Sequence, residues 1–216
     1  MALCLLAVTA SPASAEKVRN HFDSDAPLRP PAFFEFVVLG EPGRAEWMVL
    51  TDFNPPSAPS QVTQTVLRRP VDSIAAALRS GLNFRDGRLS VGLRKGSGTG
   101  GLVFRMSGEK DFLTLLVDLA TGESRLSSSR GGTVSELARG TAPLDQTWGI
   151  LSITADGPKV SARWNEKPLL QATDPRLAEG RTGLATSGPG TVAFDEFVIE
   201  PDPGEEEAAR DGVTPS

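Results

Sequence analysis

Residues 86–119, DGRLSVGLRKGSGTGGLVFRMSGEKDFLTLLVDL, decide the class of fold. Leu89, Val91 and Leu93 fall on one side of an extended strand, and Arg88, Ser90 and Arg94 fall on the other. GLVFRM and FLTLLVDL repeat that period of two after a glycine-rich loop and an SGEKD turn. Successive side chains of a strand point to opposite faces, so three such runs in succession predict an antiparallel sheet with one buried face. The pattern speaks for architecture and says little about chemistry.

Extended segments continue on both sides. FFEFVVL (33–39) and AEWMVLT (45–51) precede a DFNPPSAPS stretch, where three prolines rule out a strand interior, and QVTQTVL resumes the extended pattern. Residues 72–80, DSIAAALRS, leave two readings open: a short capped helix or an irregular β segment. TWGILSIT and VSARWN flank Asp156-Gly157, the signature of a hairpin. In the last run, TVAFDEFVIE, Val192, Phe194 and Val198 oppose Ala193, Phe197 and Ile199, and two apolar faces predict a central strand. About a dozen short strands at regular spacing make a two-sheet antiparallel β-sandwich, all-β and one domain over residues 16–200.

Composition narrows the functional classes. The chain has 216 residues and a net charge of −5. Most of that charge is Asp202, Glu205, Glu206, Glu207 and Asp211 against Arg210, in a 201–216 tail with the composition of disorder. A nearly neutral body forms no basic footprint for nucleic acid. ALCLLAVTA followed by Ala13-Ser14-Ala15 reads as a signal peptide over residues 1–15, although no basic residue precedes the apolar core. The expected location is therefore exported, periplasmic or extracellular, and no later run is long enough to span a bilayer. Cys4, the single cysteine, lies in that leader, which removes disulfides, thiol catalysis and cysteine-zinc sites from the remainder.

Each candidate constellation has a plain structural alternative. Gly96, Gly98 and Gly101 satisfy GxGxxG, but here the loop joins two strands rather than a strand and a helix, so it reads as a hairpin loop. His21 is the single histidine and has no nucleophile motif beside it. Asp118 shares a strand face with Phe112, Thr114 and Leu116, and its alternative is to close the following ATGE turn. Asp23, Asp25 and Asp195 are calcium candidates if the first and last strands pair, and backbone acceptors otherwise. Trp47, Trp148 and Trp164 read as core or rim residues. Arg105 and Arg163 stand mid-strand as polar ligands for an anionic or hydroxyl-rich partner, or otherwise on a solvated outer face.

AEWMVLTDFNPPSAPSQVTQT, DGRLSVGLRKGSGTGGLVFR, DFLTLLVD, TWGILSI, GRTGLAT and VAFDEFVI follow one another in the order of one bacterial family. From about Phe22 to Ile199 the chain resembles the concanavalin A-like, laminin-G-like sandwich domain named after 3-keto-disaccharide hydrolases. The resemblance implies a jelly-roll sandwich and sugar chemistry. It departs where the family has Asn-Tyr-Tyr and this chain has Asp111, Phe112 and Leu113, and where a family arginine is replaced by Leu116. There is no tyrosine at all. The Glu-x-Asp-x-x-Glu motif of concanavalin-like family 16 glycosidases is also incomplete, because Glu109 and Asp111 are followed by Thr114. The expected function is a non-catalytic glycan-associated or structural binding module. Its ligand residues would be Arg105, Thr114, Asp118 and Arg163, and its partner a glycan, a small sugar or a protein. The alternative the resemblance carries is a hydrolase of 3-keto-disaccharides or related sugars, with Asp118 or Asp111 as acid/base and Arg105 orienting the substrate.

Overall fold

Alternation assigns each strand residue to a face, and the computed structural model shows where those faces go. It describes residues 17–52, 54–66 and 70–202. The expected leader and almost all of the acidic tail lie outside these residues. Every regular element described is a strand: β1 (Val18–Asn20), β2 (Phe34–Gly40), β3 (Trp47–Thr51), β4 (Ser60–Gln64), β5 (Ser73–Phe84), β6 (Gly87–Arg94), β7 (Thr99–Gly108), β8 (Asp111–Asp118), β9 (Glu123–Arg130), β10 (Thr133–Thr141), β11 (Trp148–Asp156), β12 (Lys159–Trp164), β13 (Lys167–Thr173), β14 (Gly180–Ser187) and β15 (Val192–Pro201). Among the described residues no helix is long and apolar enough to cross a membrane.

The strands form two antiparallel sheets. One has the order β13-β12-β11-β6-β15-β4-β3, with β1 added on β15; the other has the order β10-β9-β8-β7-β14-β5-β2. The all-β, two-sheet expectation holds. So does the central place of the last strand, since β15 lies between β6 and β4. The first and last strands pair, with Val18 opposite Ile199 and Asn20 opposite Phe197.

The opening stretch of sequence needs a correction. β7 and β8 pair with each other, but β6 belongs to the opposite sheet, between β11 and β15. The glycine-rich loop is a crossover from sheet to sheet rather than a hairpin. It is fastened by Lys95 N donating to Thr147 O (2.8 Å), Gly96 N to Leu119 O (3.2 Å) and Leu119 N to Gly98 O (2.9 Å). A strand's apolar side looks the same from either wall of a core, so alternation alone does not distinguish the two arrangements. Residues 72–80 resolve as part of β5, a twelve-residue strand between β14 and β2.

The main core fills the space between the sheets. Leu89, Val91, Leu93, Leu151, Ile153 and Phe194 meet Leu102, Phe104, Leu113, Leu115, Val117 and Leu184 there. Phe36 lies 6.4 Å from Trp47 and Phe34 lies 6.2 Å from Phe197, centroid to centroid, so aromatic contacts bridge the layers. Trp164 is also in the core, with its Nε1 donating to Pro143 O at 3.0 Å. The β11–β12 hairpin forms around Gly157 at φ +50°, as the Asp-Gly pair predicts.

Candidate functional site

The outer face of the seven-stranded sheet holds the site. On β8, Leu113, Leu115 and Val117 point into the core, which sends Phe112, Thr114, Leu116 and Asp118 to the opposite face. On β9, the register Leu126 opposite Leu115 and Ser127 opposite Thr114 puts Arg125, Ser127 and Ser129 on that same face. These residues line an open groove of about 840 Å³ that extends to Leu39, Glu41, Asp72 and Ile74 on the β2–β5 side. The groove has an apolar side and a polar side.

The polar side is knitted by charge. Arg125 pairs with Glu123 (2.6 Å), and Arg139 on the edge strand β10 pairs with both Glu123 and Glu136 (2.8 Å each). The like-charged Arg125 and Arg139 stand directly opposite each other across the β9–β10 ladder, and the two glutamates offset that repulsion. At each end of β8 an aspartate closes a turn. Asp118 Oδ1 accepts from Ala120 N (2.9 Å) and Thr121 N (3.0 Å), and Asp111 Oδ1 accepts from Gly131 N (3.0 Å).

The sequence-derived ligand set divides. Thr114 and Asp118 stand in the groove. Arg163 does not: it is on β12, exposed on the outer face of the other sheet, and donates to Glu166 O at 2.8 Å. Arg105 is removed from the set more firmly. A register break after Phe104 and a φ of +49° at Arg105 turn its side chain away from the groove, and it is wholly buried. There it donates to Arg85 O (2.9 Å), Asp86 Oδ1 (2.9 Å), Gly157 O (2.7 Å) and Leu177 O (3.2 Å). Burial pulls its pKa down and Asp86 opposes that pull. It is a clamp on three loops. Asp111 and Asp118, the two acid/base candidates, sit seven residues apart on one strand, about 23 Å by strand rise. Paired glycosidase carboxylates stand about 5–10 Å apart, so these two cannot act as such a pair. Arg125, Ser127 and Ser129 were not singled out from sequence, although the alternation in ESRLSSSR places them on one face.

The calcium candidates each do structural work. Asp195 Oδ2 accepts from Ser57 N (2.6 Å), and its Oδ1 accepts from Ser57 Oγ (3.0 Å) and Glu196 N (2.7 Å). Asp23 accepts from Ser60 N (3.0 Å), and Asp25 from Ala32 N (3.3 Å). Asp23 and Asp195 thus fasten the two ends of the Ser57–Ser60 loop. Among the described residues, no three His, Cys, Asp or Glu side chains gather as metal ligands. His21 Nδ1 lies 2.8 Å from Glu196 Oε1, next to this junction.

Burial pushes the Asp195 carboxyl up to about 6, against the hydrogen bonds from Ser57 and Glu196 that favour its charged form. Between its ordinary value of 3.8 and about 6 the folded chain holds a proton that the unfolded chain has released. The linkage therefore runs downhill with rising pH, and stability is expected to fall by about 2 kcal/mol from pH 4 to pH 7. Urea denaturation at half-unit pH steps checks this, with Asp195→Asn as the variant that loses the slope. At lower pH the opposite trend sets in at Asp174. Burial raises that carboxyl, but hydrogen bonds from Arg176 outweigh it and hold it at about 2. Its contribution, about 2 kcal/mol, is present above pH 4 and fades as the pH drops towards 2.

No family model matches the chain, and no curated protein matches it. Solved structures do. The carbohydrate-binding module CBM66 from Bacillus subtilis aligns at a TM-score of 0.54 and 19% identity, over 71% of this chain and 95% of that one. A galectin-like-fold protein of unknown function from Bacillus subtilis aligns at 0.56 and 16% identity, over 84% and 94%. The Bacillus licheniformis β-glucanase aligns at 0.52 and 5%, over 84% and 96%. The fold is that of the galectin-like and concanavalin A-like sandwiches. At these identities the likeness is one of fold, and the expected membership of the 3-keto-disaccharide hydrolase family rests on the sequence motifs alone.

Proposed function

We propose that this chain is a non-catalytic, exported binding module that takes carbohydrate in the groove on the outer face of its seven-stranded sheet. The observation that carries the reading is the two-sided groove itself: Phe112 supplies an apolar floor beside the hydroxyls of Thr114 and Ser127. Sugars are held by an aromatic or apolar surface under the ring and directed hydrogen bonds around it. The fold it shares with a carbohydrate-binding module and a β-glucanase supports the ligand class. The carboxylates on its polar side support binding over turnover, since Asp118 serves a turn and Glu123 and Glu136 serve arginines. In this reading calcium takes no part.

Calorimetric titration of the full chain with a panel of neutral mono- and oligosaccharides and 3-keto-disaccharides, with and without a chelator, tests this. At least one sugar is expected to bind without conversion, unaffected by chelation, and Thr114→Val is expected to weaken it about tenfold. Hydrolysis that disappears in Asp118→Asn would favour the hydrolase instead. A panel with no binding sugar would remove the carbohydrate reading.

A further inference from the structure

We propose, building on the carbohydrate reading, that the ligand is an amphiphile: an uncharged, hydroxyl-rich head on the polar side of the groove and a hydrocarbon tail on its apolar side. The first argument is the sheet's two apolar faces. An antiparallel sheet with its core on one side normally turns polar residues to the other. Here the outer face carries a second packed layer of Leu39, Ala76, Leu78, Val103, Met106, Phe112 and Ala185, with Val37, Ile74 and Leu116 against it. That layer is itself buried, and it meets the groove through Ile74 and Leu116, half-buried apolar side chains that a bare sugar, hydroxylated over most of its surface, leaves unmatched.

The layer's boundary gives the second argument. Apolar residues occupy β2, β5, β14 and β7, whereas the outer faces of β9 and β10 carry serines and the arginine–glutamate lattice. The border runs along β8, whose outward residues alternate Phe112, Thr114, Leu116, Asp118. Head and tail would therefore lie on either side of one strand. The rim continues the apolar character: Val71 and Val134 face the groove from opposite sides and are 74% and 63% exposed.

Charge selects the head. Among the described residues the side chains of Glu41, Asp72 and Glu109 have no partner and face a single unpaired cation, Lys110, while Arg125 and Arg139 are neutralised by Glu123 and Glu136. The uncompensated charge is negative, which disfavours fatty acids and anionic phospholipids and leaves an uncharged polyol head as the complement. About 840 Å³ is within the range of pockets that enclose a ligand of this kind.

The test is calorimetric titration of the full chain with maltose, hexyl, octyl and decyl maltosides below their micelle concentrations, octyl dimethylamine oxide and decanoate. Each added methylene is expected to tighten maltoside binding about fourfold, with decanoate at least about tenfold weaker than decyl maltoside. Leu116→Arg, at a half-buried position that can admit the longer side chain, is expected to abolish the dependence on tail length while a thermal scan confirms folding. Bare sugars binding as tightly as their alkyl glycosides would overturn this inference and leave the carbohydrate reading standing. Tails that bind equally well whatever their head would overturn both. Failure of every maltoside to bind, or a tail dependence that survives Leu116→Arg, would also overturn the inference.

Discussion

Replacing Arg105 with methionine is expected to lower the thermal midpoint by about 10 °C. Methionine fills much of the volume but leaves the carbonyls of Arg85, Gly157 and Leu177 without their donor and Asp86 with only the more distant Arg85, 3.6 Å away. Breaking a buried, hydrogen-bonded charge pair costs about 3–5 kcal/mol, and each kcal/mol moves the midpoint by about 2–4 °C in a domain of this size. Asp86 keeps one hydrogen bond, from Gly157 N at 2.9 Å, which limits the damage to the loops that Arg105 ties. Arg105→Lys retains the charge but not the fork, so roughly half the loss should remain. Sugar affinity in the groove should not change with either variant. An Arg105→Lys chain with a normal midpoint and lost affinity would return Arg105 to the ligand set.

A single methyl group should act almost as strongly at Gly149. A Cβ there would lie 2.0 Å from Trp164 Cζ2 and 2.4 Å from Cε2. The ring cannot swing aside, because it is buried in the core and its Nε1 is bonded to Pro143 O. Gly149→Ala is therefore expected to cost about 3 kcal/mol, at the upper end for overpacking. Trp164→Leu alone creates a cavity and should cost about as much. In the double variant the methyl occupies part of that cavity, and denaturant titrations should show a favourable coupling of about 2 kcal/mol. Strictly additive losses would mean that the contact is not the cause.

These two positions illustrate what the sequence discloses. Trp164 was legible as a core residue because Val160 and Ala162 share its side of a hairpin strand. Its contact with Gly149 was not, since nothing in the local pattern of either strand points to the other. Arg105 misled for a related reason. Mid-strand alternation assigns it a face, but a backbone break at that residue sends the side chain to the sandwich end, where the partners are loop carbonyls from distant segments. The groove was half legible. The shared face of Phe112, Thr114, Leu116 and Asp118 follows from period two alone. Its continuation onto Leu39, Ile74 and Ser127 depends on strand order, and strand order depends on the crossover after β6, which looks like a hairpin in the sequence.

The pairing of β1 with β15 has a mechanical consequence. Val18 lies opposite Ile199 and the two strands run antiparallel, so the two ends of the described sandwich leave side by side. Tension applied between them loads the Val18–Ile199 contact first and the next only after it parts, as in opening a zipper, rather than sharing the force across the ladder. β1 should peel away at low force in single-molecule pulling, while β15, flanked by β6 and β4, keeps the sheet closed beneath it until a second, higher-force event.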